Sequence, residues 1–161
     1  MKTSLLQMKY FLLCIFLIST LNCYAGNIKI SELKNINSKI FIMRHALAPG
    51  YGDPVNFNID ECKTQRNLNI EGVNQAKMVG KILKNYGINF NKIFSSFWCR
   101  CYKTLESMGL NDFEFHPGLN SFFQNRVDKI ETLNKLKELI LNLPEDKGPY
   151  LFVTHYVTIF S

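Results

Sequence analysis

Lys39-Ile-Phe-Ile-Met43 introduces a continuous apolar run of strand length, and a cation and an imidazole, Arg44 and His45, follow directly at its carboxyl end. An apolar run with no polar alternation reads as a strand covered on both faces, the signature of a parallel sheet. Beyond it, residues 46–66 carry Pro49, Gly50, Gly52 and Pro54, which break regular structure, so the strand opens into a long loop. Long loops in compact domains are usually functional or disordered.

Downstream, the pattern alternates. Asn69 is a helix N-cap with Glu71 in the first turn, and Val73, Ala76, Val79, Leu83 and Tyr86 recur at helical spacing until Gly87. Lys92-Ile-Phe-Ser95 is a second strand and Trp98 to Met108 a second helix, followed by an irregular stretch, 109–125. A third helix from Asp128 places Ile130, Leu133, Leu136, Ile140 and Leu143 on one face and stops at Pro144. Pro149-Tyr-Leu-Phe-Val153 is another apolar strand. Strands alternating with helices predict an α/β domain, a three-layer αβα sandwich with a mainly parallel sheet.

With 161 residues and 47% hydrophobic side chains, the chain has enough material for one domain. Its first 25 residues read separately. Lys2 and Lys9 precede the apolar stretch Tyr10 to Leu21, and small residues follow at Cys23 and Ala25, which is a secretory signal peptide cut after Ala25. As an uncleaved anchor it falls short, since roughly 12 apolar residues do not match the ~20 that cross a bilayer. As a lipoprotein signal it lacks a small residue before Cys23 or Cys14. The expected domain is therefore 26–161, secreted or periplasmic, with no membrane span after cleavage.

Cleavage removes Lys2 and Lys9, so a net charge of +6 becomes +4, with 17 basic against 13 acidic residues. The lysines are dispersed, which gives nucleic-acid binding no support and leaves only a general attraction for anions. Cys62, Cys99 and Cys101 remain in an oxidising compartment, where one disulfide is expected, from Cys62 to Cys99 or to Cys101. Three cysteines without a neighbouring histidine are a poor zinc set, and no metal or cofactor is expected.

Three strand ends carry chemistry: Arg44-His45, Ser95-Ser96 leading to Arg100, and Thr154-His155. Ligands in open α/β sheets bind at the carboxyl ends of strands, so these residues can converge on one cleft. Arginine usage adds weight. Fifteen lysines stand against four arginines, yet arginine occupies 44 and 100, where a planar fork can grip phosphate oxygens bidentately. Arg66 and Arg126, the other two, read either as surface residues or as part of the cleft rim. His116, before Pro117, reads as a surface loop residue.

Phe41-Ile-Met-Arg44-His45-Ala46 resembles the Arg-His-Gly signature of the histidine phosphatase superfamily, the phosphoglycerate mutase-like proteins. Ser95-Ser96-Phe97-Trp98-Cys99-Arg100, with Thr104 four residues on, is similar to that family's second segment, and Phe152-Val153-Thr154-His155 to its third. Arg66-Asn-Leu68, Gly72 and Gln75-Ala76 resemble the segment at its first long helix, so the likeness runs from 39 to 159.

The resemblance implies a bacterial-type phosphatase, exported on the signal-peptide reading, that hydrolyses a phosphomonoester or other phosphoryl substrate, a phosphorylated small molecule or a phosphohistidine, with His45 attacking phosphorus to form a phosphohistidine. Arg44, Arg100 and His155 would hold the phosphoryl oxygens, with Ser96 and Thr104 also at the substrate. It further implies a general acid, but 116–123 holds no carboxylate. Asp112 and Glu114 are unaligned, and Asp53, Asp60 and Glu61 lie in the loop after His45. An absent acid favours good leaving groups, namely phosphohistidine, acyl phosphates or pyrophosphates, over alkyl phosphates. Relative to the family the chain reads as C-terminally short, ending at Ser161, which predicts a poorly covered last strand with Val157, Ile159 and Phe160 exposed. A noncatalytic phosphate-ligand binding protein, or an inactive truncated remnant, is the rival expectation.

Overall fold

The structure, a computed structural model, describes residues 40–161. The expected signal peptide, 1–25, lies outside the described residues. In order, the chain forms β1 (Ile40–Arg44), α1 (Ile70–Asn85), β2 (Lys92–Ser95), α2 (Cys99–Met108), β3 (Glu114–Phe115), α3 (Lys129–Asn142), β4 (Tyr150–Thr154) and α4 (Tyr156–Ile159). Short 3-10 turns sit at Cys62–Thr64, Pro117–Leu119 and Phe123–Asn125.

The four strands form one parallel sheet in the order β1-β4-β2-β3. Parallel neighbours need crossovers, and the helices supply them. Side chains of β2 and β4 alternate between the two faces. Ile93, Leu151 and Val153 join Ala76, Cys101, Leu105 and Met108 on one side, while Phe94, Tyr150 and Phe152 join Leu119 and Leu136 on the other. Two cores on opposite faces of one sheet make the fold a three-layer αβα sandwich. Among the described residues no helix is long and apolar enough to cross a membrane.

The last strand departs from expectation. β4 lies at the centre of the sheet between β1 and β2, and all five of its residues are buried. It is well covered because α1 and α2 pack on one face of the sheet, and α3 with the turn at Pro117–Leu119 on the other. Of the three residues beyond it expected to be exposed, only Phe160 is, at 72%; Val157 and Ile159 are half-buried.

One helix face is also rotated from the apolar pattern. In α3 the core-facing residues are Thr132, Leu136 and Leu139, with Leu143 just past its end, while Ile130 stands 71% exposed. The Thr132 hydroxyl donates to the Asp128 carbonyl at 2.6 Å, which satisfies it inside the core. In α1 Ala76, Val79 and Leu83 pack on the core as expected, and Gly72 and Gly80 are buried as well. There the helix packs backbone to backbone: a Cβ on Gly72 or Gly80 would stand 2.0 Å from the carbonyl oxygen of Leu47 or Met108. In the stretch expected to be irregular, 109–125, two residues pair as β3 and two 3-10 turns form.

Alanine normally gains about 1 kcal/mol over glycine inside a helix. Gly80→Ala reverses that sign, because α1 must move off α2 to admit the methyl, an overpacking cost of about 1–3 kcal/mol. Urea denaturation of wild type and variant measures it; a variant as stable as wild type would refute the close approach.

Candidate active site

Register sets the site. Arg44 lies opposite Thr154, and Ser95 opposite Val153, so β1, β4 and β2 finish nearly level and their following residues share one rim. The His45 backbone N–H donates to the Thr154 carbonyl at 3.0 Å, extending the ladder one residue into the loop. His45 and His155 thereby face each other with ring centroids 5.4 Å apart, and Trp98 packs on His155 at the same distance.

A solvent-open hollow of about 210 Å³ lies at this rim, lined by Arg44, His45, Gly50, Gly52, Arg66 and His155, with Tyr51, Phe123, Tyr156 and Val157 as apolar wall. Nδ1 of His45 lies 2.7 Å from the Ala46 carbonyl oxygen. A carbonyl only accepts, so Nδ1 carries the proton and the lone pair resides on Nε2. Burial, opposed by that hydrogen bond and reinforced by the charges of Arg100, Arg44 and Arg66, pushes the His45 pKa down to about 3. His155 is held well below its ordinary value by burial, then by Arg100 and His45. Both rings are neutral near pH 7.

The arginines divide their work differently from the sequence expectation. Arg44 is exposed, lines the hollow, and its guanidinium has no hydrogen bond or ion pair among the described residues. Arg66, which sequence reasoning left between surface and rim, is a wall of the hollow. Its Nε donates to the Gly52 carbonyl at 3.1 Å and its Nη1 to that of Ala48, which leaves Nη2 without a described partner.

Arg100, expected to hold substrate, is not in the hollow's lining. It is buried with its fork closed on Asp53, Nη1 to Oδ1 at 2.7 Å and Nη2 to Oδ2 at 3.2 Å. Asp53 also accepts from the Arg66 backbone N–H at 3.0 Å and the Trp98 indole at 2.9 Å. Burial alone would raise the Asp53 carboxyl; the Arg100 bond and charge, with these two donors, hold it below its usual value. It is thus an ionised anchor and no proton donor. Its carboxylate went unassigned because the loop has no periodicity from which partners could be read.

Ser96 and Thr104, expected at the substrate, are fully buried and serve other groups. The Thr104 hydroxyl accepts from the Ala46 N–H at 2.9 Å and donates to the Arg100 carbonyl at 2.7 Å, which fixes the turn after His45. Ser96 Oγ lies 3.0 Å from His155 Nε2 and donates to Asn120 Oδ1. A helical residue has its hydroxyl spent on local backbone more often than sequence spacing suggests.

Of the two open pairings, the disulfide is Cys62–Cys99, with a Cα–Cα distance of 5.7 Å. Cys101 is a free, buried thiol that burial pushes up to about 12. Gln65 strengthens the same tie, accepting from the Cys99 N–H at 2.9 Å and donating to the Asn58 and Ile59 carbonyls. His116 is structural: Nδ1 accepts from the Gly118 N–H at 3.1 Å. Among the described residues, no three His, Cys, Asp or Glu side chains come together as metal ligands.

No protein-family model matches the chain, and no curated protein matches it in sequence. Solved structures do. The protein histidine phosphatase SixA complexed with tungstate superposes with a TM-score of 0.50 at 20% identity, over 74% of this chain and 70% of that one. The phosphohistidine phosphatase SixA structure from Agrobacterium tumefaciens gives 0.53 at 19%, over 74% and 70%. That from Nakamurella multipartitia gives 0.51 at 20%, over 74% and 60%. The chain thus has the fold of these phosphatases.

Removing the charge of Asp53 leaves Arg100 buried and unpaired, and breaking such a pair costs about 3–5 kcal/mol. Asp53→Asn is therefore expected to be less stable than wild type by this much at pH 7. Because the folded carboxyl lies below its unfolded value of about 4, the difference is fully present above pH 4 and shrinks as pH falls through the folded value. Denaturation curves at pH 7, 5 and 3 read it; a constant difference down to pH 3 would show that the carboxylate's charge is not the cause.

Proposed function

We propose that this protein is an exported phosphatase that transfers a phosphoryl group to His45 and then to water. The single observation that carries the reading is the state of His45: a neutral ring whose proton is pinned on Nδ1, beside two guanidinium groups with unsatisfied donors. A lone pair facing an anion weakens simple binding. It is what nucleophilic attack requires, which favours turnover over a phosphate-binding role.

In this mechanism Arg44, Arg66 and His155 bind the phosphoryl oxygens, and Nε2 of His45 attacks phosphorus in line. The bond to the leaving group breaks, and the electron pair departs with that group. Water then attacks the phosphohistidine, releasing phosphate and restoring the ring. Fixed donors around the oxygens stabilise charge as it develops, without reorganising. Arg100 acts from behind: held by Asp53, it braces the rim, and before substrate enters both imidazoles are neutral, first through burial.

Substrate class follows from the lining. Among the described residues no carboxylate lines the hollow, and Asp53 is engaged as an anion. A leaving group that needs no protonated carboxyl is favoured, which makes a phosphohistidine-bearing protein the preferred substrate, with acyl phosphates and pyrophosphates next. The fold shared with SixA phosphohistidine phosphatases supports the same choice.

Turnover of a phosphoramidate and an aryl phosphate is expected to exceed that of an alkyl phosphate by at least about 10²-fold, the low end of what a general acid supplies. His45→Ala is expected to abolish all three. With the nucleophile titrating at about 3, no acid limb from His45 enters kcat/KM between pH 8 and 5. Equal rates on the alkyl ester, or residual activity in His45→Ala, would sink the proposal.

Export is proposed from the amino-terminal segment, and the Cys62–Cys99 bridge agrees with an oxidising compartment. Sequencing the amino terminus of the protein recovered from the cell exterior or periplasm is expected to begin at Gly26; recovery only with Met1 in the cytoplasm would reject it.

A further inference from the structure

His155 is held from behind by a set of hydrogen bonds whose donor directions can be assigned. The Phe97 backbone N–H donates to Asn120 Oδ1 at 3.1 Å, which fixes that amide with its oxygen toward Ser96. The Ser96 hydroxyl has one proton, and it goes to the same Oδ1 at 3.2 Å. Ser96 Oγ then only accepts, from the Trp98 backbone N–H at 3.2 Å and from His155 Nε2 at 3.0 Å. Cys101 tells the same story independently. Its thiol donates to the Thr154 carbonyl, which turns a sulfur lone pair toward His155 Nε2 at 3.5 Å.

Two acceptors therefore converge on Nε2, so that nitrogen carries the proton. In a neutral ring the lone pair then falls on Nδ1, which has no hydrogen-bond partner among the described residues, on a side chain that lines the hollow. A bare lone pair there would repel a phosphoryl oxygen.

We propose that Ser96 and Asn120 are positioning residues that lock His155 in the Nε2–H tautomer, so that a tetrahedral dianion enters the hollow together with one proton taken up at Nδ1. The balance is simple: an N–H bond forms at Nδ1, solvent or buffer supplies the proton, and imidazole becomes imidazolium. The groups facing the ring all agree with a neutral empty state. They are Arg100 and Cys101 on α2, His45 and Arg44 at the end of β1, and Arg66 from the loop, while Asp53 is engaged by Arg100, Trp98 and Arg66. An incoming dianion offsets those cations and raises the ring's basicity. This inference rests on the proposed role of the hollow as a phosphoryl site, but not on turnover.

The probe is sulfate, a tetrahedral dianion that is not hydrolysed. The chain has three histidines, so ¹⁵N imidazole spectra of the whole protein can be assigned with His45→Ala and His116→Gln. The free protein is expected to show His155 with Nε2 protonated and Nδ1 bare, and saturating sulfate to protonate both. Sulfate affinity is then expected to fall up to tenfold per pH unit above neutrality, with calorimetry in two buffers showing proton uptake. Ser96→Ala should yield a mixture of tautomers and a shallower pH dependence, which Ser96→Thr restores.

An Nδ1–H tautomer in the free wild type, or sulfate binding without proton uptake, would overturn the assignment. Proton-coupled sulfate binding by a protein that hydrolyses no phosphoryl substrate would instead reject the phosphatase reading and leave this one standing.

Discussion

The ion pair between Asp53 and Arg100 is the constraint on which the rim of the sheet depends. Both side chains are almost fully buried, at 5% and 3% exposed, so neither charge survives there without the other. Arg100 is fixed by α2, while Asp53 belongs to a loop with little regular structure. The pair therefore converts a position on a helix into a position in the loop. Through its remaining contacts Asp53 also sets the Arg66 backbone and the Trp98 indole, and Trp98 packs on His155. The pair also settles the charge. Three arginines act on His45, and one carboxylate closes on one of them. Two guanidinium charges remain at the hollow, the complement of a phosphoryl dianion.

That cluster explains why both imidazoles stay neutral. A lone histidine with nearby carboxylates would gain its proton near neutrality and lose its nucleophilic pair. Here burial lowers the His45 pKa most, the bond to the Ala46 carbonyl opposes it, and the surrounding arginines lower it further. In the proposed mechanism the same arginines would bind the substrate's charge and help keep the His45 lone pair available before it arrives. A phosphoryl group entering the hollow would offset that field.

How much of this was legible in the sequence depended on periodicity. β2, whose bounds match the expectation, and β1 and β4, which shift by one residue, were readable because unbroken apolar runs of strand length have few alternatives in an α/β pattern. Their ends carried His45, Arg44 and His155, so the placement of these three around one hollow followed from topology. Arg100 was readable as a neighbour of the site, but not its direction, because its partner lies 47 residues earlier in a loop with no repeat. Ser96 and Thr104 share that limit. Spacing placed them near the site, but a hydroxyl has several directions in which to spend one proton, and only the folded backbone selects among them. The buried face of α3 was misread in part, and the buried Gly72 and Gly80 of α1 were missed, for a related reason: Thr132 buries with a satisfied hydroxyl and the glycines bury for close packing, and an apolar count sees neither.

The loop after β1 poses the remaining question: how a segment with so little secondary structure holds Arg66 to a fixed place. Each residue fixed without a repeating ladder costs about 1–2 kcal/mol of backbone entropy. Regular structure offsets that cost through its own hydrogen bonds; this loop must do it with cross-links. The Cys62–Cys99 bridge closes a separation of 37 residues, which on chain-entropy grounds lowers the freedom of the unfolded state by about 4 kcal/mol. Gln65 bonds the same stretch to the N-terminus of α2, and Arg66 returns to the Gly52 and Ala48 carbonyls. These ties all sit within a few residues of Arg66 and Arg100. They place the loop's rigidity where a phosphoryl group would need fixed donors, and leave the outer loop, with Tyr51 and Val55 at 87% and 98% exposed, as the side a substrate would approach.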